Sequence, residues 1–200
     1  MERAKKYGIY NEINKAAKEL GLGLKEVKMP IALPEAPTLS INKYEYNSIE
    51  DVGKFLKDFA EVYKDYFMAG FGGLKEVKED YFMATNPTNG MFYISNRAYK
   101  GFIPTRDLLR AFQKIIHKLP LSFNEEYALE TLWHEINHNR VKRYVPLLKD
   151  SPQMLIMETI NQLVSRHTYD EFLKKLGAEA RHKAEILEKG YGYALMVKNF

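Results

Sequence analysis

Between Ala128 and Arg140 the chain reads ALETLWHEINHNR, and five of these residues, His134-Glu135-Ile136-Asn137-His138, have types and a spacing that can do chemistry. Residues four apart on a helix lie on one face, one turn apart, so His134 and His138 can aim their imidazoles at a single ion. Zinc takes imidazole nitrogens in a tetrahedral array. Glu135 stands about 100° around the helix from His134, where its carboxylate can reach water at the ion without filling a ligand position. Zinc lowers the pKa of bound water to about 7, and a neighbouring carboxylate can then take the proton. Since the same ion polarises a carbonyl, the pattern suits peptide hydrolysis. The plain alternative is two histidines that share a helix face and bind nothing. Leu129, Leu132, Trp133 and Ile136 form a separate apolar stripe that anchors the helix to a core. His134 and His138 lie on another side with Tyr127 and Thr131, and histidines held in that way favour the ligand reading.

The chain has no cysteine, so any metal must be held by His, Asp or Glu. Glu158 follows His138 by 20 residues and is the only acidic residue in SPQMLIMETINQLVSRH. It sits among Met154, Leu155, Ile156, Met157, Ile160, Leu163 and Val164. A carboxylate buried in such a run is costly unless it is paired or bound to metal, which makes Glu158 the third ligand. The alternative puts it on a polar helix face with Asn161, Gln162 and Ser165. His167, at the end of the run, is the rival ligand or an oxyanion donor; its bland reading is a histidine at a helix C-terminus meeting the dipole. Arg166, Tyr169 and Tyr144 are further oxyanion candidates. His117 and His182 lie on charged helices and read as solvated.

These residues resemble the zincin metallopeptidases, whose active-site helix carries H-E-x-x-H. The metzincin continuation, H-E-x-x-H-x-x-G-x-x-H, is absent, because Val141 and Tyr144 hold the Gly and His positions. Gluzincins take a glutamate from the next helix, and Glu158 matches it. In that subgroup an Asp a few positions beyond the ligand Glu orients the first histidine. Asn161 and Gln162 occupy that neighbourhood here, and amides accept less strongly than a carboxylate; Asp150, Asp170 or Glu130 could supply the carboxylate instead. The resemblance implies a zinc ion (Zn2+) held by His134, His138 and Glu158, Glu135 as general base, and a peptide or protein substrate. It also implies an edge strand that binds extended substrate by strand addition, a part for which MFYIS, Met91–Ser95, is placed. The likeness covers roughly residues 75–175. ALETLWHEINH followed by METINQLVSRHTYDEFL is also similar to zincin-like domains in larger proteins of phages and conjugative elements. That implies a neighbouring domain joined at the N-terminal arm. The competing reading is a catalytically inactive binding module on the same scaffold, a phage or mobile-element component. Its contact surface would be the basic clusters RVKR, 140–143, and RHK, 181–183, which otherwise read as solvated helix faces. An amidase using the same cage is a third reading.

The elements that must position these residues are legible in part. Residues 1–37 read as a helix-prone, polar segment leading into the proline-rich arm MPIALPEAP, which favours an extended connector. Residues 38–200 then form the zincin-like domain. TLSINKYEY is a short strand. Ser48 caps a helix with Asp51 at N3, and Ile49, Val52, Phe55, Leu56, Phe59, Val62 and Tyr63 recur at helical spacing. GFGG, 70–73, is a flexible loop. Tyr81–Thr85 and Met91–Ser95 flank the turn residues Asn86–Gly90 as a hairpin. A helix covers about Thr105–Lys118. Ser122 and Glu125 make a capping box that opens the HEINH helix, and Ser151-Pro152 opens the Glu158 helix. Thr168 and Glu171 make a third box that opens another helix, stopped at Gly177, and a last one runs to about Gly190. The order predicts an α+β fold, mainly helical with a small sheet.

Composition bounds the rest. The chain has 200 residues with 46% hydrophobic and 28% charged content, as expected of a globular domain. No apolar run approaches the ~18 residues needed to cross a bilayer, and the N-terminus lacks the apolar core of a secretory signal, so a cytoplasmic protein without membrane partners is expected. The net charge of +4 is a small excess that makes nucleic acid an unlikely partner.

Overall fold

A computed structural model describes residues 39–140, 148 and 151–192 of the chain. The segment 1–37, together with Val141–Arg143, Tyr144 and Asp150, lies outside the described residues. Among those described, the fold is α+β, with five helices and one three-stranded sheet. In order these are α1 (Ile49–Val62), β1 (Gly73–Val77), β2 (Met83–Asn86), β3 (Met91–Ser95), α2 (Pro104–Ile116), α3 (Phe123–Asn139), α4 (Pro152–Lys175) and α5 (Lys183–Lys189). None of these helices is long and apolar enough to cross a membrane.

The caps form as the local chemistry dictates. Ser48 and Asp51 close a reciprocal box at the start of α1, and Ser122 and Glu125 do the same for α3. Glu125 also accepts from Lys114 Nζ at 2.7 Å, which ties α2 to the entry of α3. Ser151 caps α4 with Pro152 in its first turn. At the far end of α4, Gly177 has φ +76°. Its N–H bonds Lys174 O at 3.0 Å and that of Ala178 bonds Leu173 O at 2.9 Å, the paired bonds that satisfy a helix's last carbonyls.

Four expectations fail for identifiable reasons. Over its described residues, 39–46, TLSINKYEY is not a strand: Ile41–Lys43 form a 3-10 turn, and Ile41 and Tyr46 plug into the core. GFGG is not a loose loop. Gly72 donates to Gly90 O at 2.8 Å, and the chain runs directly into β1, so the glycines make a close crossing of two backbones. Thr168 and Glu171 open no helix, because α4 continues unbroken through them. The Thr168 hydroxyl bonds back to Val164 O at 2.7 Å and accepts from the Trp133 indole at 2.9 Å, which leaves it no capping role. MFYIS is not an edge strand. It is β3, the centre of the sheet, paired in parallel with β1 (Gly73↔Met91 to Val77↔Ser95) and antiparallel with β2 (Met83↔Ile94 to Asn86↔Met91). An outer strand on the HEINH side does exist, but it is β2.

The core lies between the sheet and helices α1, α2 and α3. Phe92 and Ile94 of β3 point into it, with Val52, Phe55, Leu56 and Phe59 of α1 and Leu108, Ala111 and Phe112 of α2. Helix α3 runs through the middle, with 14 of its 17 residues buried, so it is held on every side rather than along one stripe. Trp133 stacks on Phe172 of α4 at 5.2 Å between ring centroids. At the end of α3, Asn139 Oδ1 accepts from Ala69 N at 3.1 Å and its Nδ2 donates to Gly70 O at 3.1 Å, which fixes the backbone just beyond His138.

The glycine crossing offers a test of this framework. Gly90 has φ +68°, and a Cβ there would stand 2.3 Å from Gly70 O. Gly90→Ala is expected to destabilise the domain by at least the ~1–2 kcal/mol of a left-handed side chain, read as a lower urea midpoint with an unchanged slope.

Candidate metal centre

Helix α3 sets His134 and His138 one turn apart, and antiparallel α4 brings Glu158 across to them. His134 Nε2 and His138 Nε2 are 3.0 Å apart, and each lies 3.2 Å from Glu158 Oε2. These residues form the one group of three or more metal-ligand side chains among those described. Protons cannot satisfy such a triangle well. If both imidazoles donate to the carboxylate, two N–H groups face each other across the short nitrogen–nitrogen edge. A cation takes all three lone pairs at once. Donors about 2.0–2.1 Å from a tetrahedral zinc stand roughly 3.3 Å from one another, close to the spacings found, so the donor set fits zinc.

The supports are equally specific. Asn161 Nδ2 donates to the backbone oxygen of His134 at 3.0 Å, which pins α4 to α3 at the site. Asn137 Nδ2 donates to Ser165 Oγ at 3.1 Å. Gln162 Nε2 donates to Glu130 Oε1 at 2.6 Å, deep in the same interface. Glu135 is only 6% exposed. The backbone of Thr85 on β2 comes near enough to its carboxylate to favour the charged form, so the outer edge of the sheet lies beside the candidate base.

The expected setting of Glu158 is corrected in one respect. The apolar residues around it do not bury it: Leu155, Ile156, Ile160 and Val164 face outward, with Ile156 56% and Ile160 49% exposed. Glu158 shares the inward face with Asn161, Gln162, Ser165 and Arg166. Helix α4 is thus polar inside and apolar outside along this stretch, because the polar groups find partners on α3. Ile156, Met157, Ile160 and Val164 line an outer groove of about 630 Å³, with His138 and Arg140 also in its wall.

Other candidates fall elsewhere. His167 is exposed, roughly 13 Å along the axis of α4 from Glu158 at 1.5 Å per residue, and its carbonyl accepts from Lys183. Tyr169 is buried and donates to Glu126, which also collects the Arg181 and His182 N–H groups at 2.9 Å. Asp170 pairs with Lys183 at 2.6 Å. That pair engages the RHK cluster, and Arg140 of RVKR lies over the Tyr66 ring at 4.7 Å and bonds Asn137. Two features were missed in the sequence: the β2 edge at Thr85, and Tyr81, whose hydroxyl is raised by burial and by the charges of Glu79, Tyr93 and Glu135; Glu130, one of the carboxylates the sequence offered to orient His134, has a buried Oε2 with no hydrogen-bond partner among the described residues. A strand edge has no sequence signature; for Tyr81 the clue was its place at the start of the hairpin.

Burial and the neighbouring charges act against one another on the groups of this cluster. Burial pushes Glu158 up, yet hydrogen bonds from His134 and His138 and their charges outweigh it and hold the carboxyl at about 2. Burial opposes charge on His138, but Glu158 and Glu135 raise it. Burial raises Glu135, against the pull of both histidines. Burial likewise pushes Glu130 up to about 8, against Arg166 and Gln162.

No protein-family model matches the chain, and neither a curated protein nor a solved structure matches it.

A pH prediction follows. Without metal, Glu130, Glu135 and His138 bind protons more tightly in the folded chain than when unfolded. Their contribution is full below the unfolded values and is lost as pH rises through the folded ones. Glu158 acts in the opposite sense, but only as pH falls from 4.5 toward about 2. The Tm of chelator-treated protein is therefore expected to fall from about pH 5 to about pH 8. Added zinc should raise Tm most at the alkaline end, where protons no longer compete for the histidines. A Tm that climbs with pH in the absence of metal would contradict these assignments.

Proposed function

We propose that the chain is a zinc-dependent peptidase domain of the zincin type, gluzincin-like, acting on a peptide or protein substrate. The observation that supports it best is the convergence of His134, His138 and Glu158 at 3.0–3.2 Å with Glu135 buried beside them. His134, His138 and Glu158 would hold the ion. When bound, zinc supplies Lewis acidity that polarises a carbonyl and makes water easier to deprotonate.

The chain's own residues divide the remaining work. Glu135 takes a proton from the attacking water and delivers it to the departing amine. Burial holds its carboxyl above the usual range, which suits a group that must both accept and release a proton near neutral pH. The β2 edge offers backbone groups to an extended substrate. Phe82 O bonds Ser95 N and Asn86 O bonds Gly90 N, so the even-numbered carbonyls face β3. By the alternation of an antiparallel strand, Met83 and Thr85 face away from it, and the Thr85 backbone comes near Glu135. Substrate backbone bound along this edge lies next to the base. The groove walled by Ile156, Ile160 and Val164 takes an apolar side chain next to the ligand His138, and it favours substrates with a bulky apolar residue near the scissile bond.

Purified wild-type protein is expected to contain one zinc per chain by elemental analysis, lost or loosened in Glu158→Ala and His138→Ala. Glu135→Gln is expected to keep the metal and to lower peptide cleavage about 10²–10⁴-fold, the scale of general-base catalysis. Full activity in that variant, or cleavage that survives chelation, would sink the peptidase reading. Retained zinc with no cleavage of any peptide in a mixed-sequence library would favour the inactive binding module.

A second test addresses the groove. Ile160→Asp is expected to raise KM or abolish the preference for apolar peptides while zinc content stays at one per chain. An unchanged cleavage pattern would remove the groove from the substrate site.

A further inference from the structure

Two polar atoms on α3 are buried and without a hydrogen-bond partner among the described residues: Nδ1 of His134 and Oε2 of Glu130. The residues are four apart in the chain, so they share one helix face, one turn apart, within side-chain reach. Glu130 is fully buried and His134 nearly so. Glu130 is already held by one oxygen, because Gln162 donates to Oε1 at 2.6 Å. Gln162 is itself backed by Gly192, where a Cβ would stand 3.3 Å from Gln162 Oε1. The carboxylate is therefore fixed on one side and open on the other.

Proton placement makes the two atoms complementary. A neutral imidazole carries its proton on one nitrogen only. If His134 gives Nε2 to a cation, the proton sits on Nδ1, which becomes a buried donor with no acceptor. With its carboxyl ionised, Glu130 offers Oε2 as a buried acceptor with no donor, and one hydrogen bond satisfies both.

We propose that Glu130 is the positioning residue of the metal centre, its Oε2 accepting from Nδ1–H of His134 and so fixing the tautomer and aim of that ring. This rests on the zinc reading above and on no assumption about substrate. The competing partner for Glu130 is Arg166, whose Nε and Nη1 are also buried without partners. Two observations favour His134. It follows Glu130 by one turn on the same helix. Arg166 reaches in from α4, and its head is already turned to the Gly192 carbonyl and packed against Gly190, where a Cβ would meet Nη2 at 2.7 Å.

The test is imidazole ¹⁵N NMR of the zinc-loaded full chain, with zinc affinity measured by chelator competition, for wild type and Glu130→Gln. Zinc-loaded wild type is expected to show a slowly exchanging, downfield Nδ1–H for His134. In Glu130→Gln that proton should move upfield, and zinc should be held about tenfold to a hundredfold more weakly. An unchanged Nδ1 signal and unchanged affinity in a folded Glu130→Gln would overturn the proposal. So would a lower Tm of the zinc-free variant with unchanged zinc affinity, which would assign Glu130 to Arg166. If the variant does not fold by circular dichroism, the wild-type spectrum decides, since a zinc-loaded His134 with no protected Nδ1–H overturns the proposal by itself. Wild type that takes up no zinc removes the functional reading and this one with it, and that result is read from wild type alone.

Discussion

A buried charge must have a partner, and most of this site follows from how α3 and α4 meet that demand in each other. Glu158 faces His134 and His138, Gln162 faces Glu130, and Asn161 grips the His134 carbonyl. Unpaired, each of these groups would cost several times what it contributes when paired. The interface therefore tolerates little sliding of one helix along the other. A shift of one turn would part Glu158 from both histidines and Gln162 from Glu130 together. Stacking of Trp133 on Phe172 and the bond from Trp133 to Thr168 fix the same register from the apolar side.

Turning the polar face of α4 inward has a consequence on its other side. Leu155, Ile156, Ile160 and Val164 are left facing out, a contiguous apolar stripe of the kind that marks a binding surface. Its groove shares His138 with the donor triangle, so what binds there lies beside the centre. The β2 edge approaches from the opposite element and comes near Glu135 at Thr85. The candidate ligands and base, the strand edge and the groove thus come from three elements, α3, α4 and β2, with α3 in contact with the other two.

How legible this was depended on whether the deciding interaction is local. Ser48, Ser122 and Ser151 act within one helical turn, and Gly177 within one helix end, so their roles could be read directly. The two histidines are coupled by helical periodicity alone. Thr168 with Glu171 has the same local pattern as a true capping box, and it fails because Trp133, 35 residues earlier, claims its hydroxyl. MFYIS was readable as a strand, whereas its place in the middle of the sheet depends on β1, which emerges from a glycine run that looks like loop. The expectation for Glu158 rested on its apolar neighbours, and Leu155, Ile156, Ile160 and Val164 face away from it.

The amino-acid sequence by itself determined the helix starts, the α+β order, the shared face of His134 and His138 and the absence of thiolate ligands, because each is set within a few residues or by composition. Only the tertiary structure decided which side of α4 is buried, which strand forms the sheet edge at Glu135, and that His167, Tyr169 and Asp170 lie away from the site. Those outcomes depend on which polar groups pair across α3 and α4. Pairing of that kind is a property of two surfaces in contact, which no periodicity in either segment encodes.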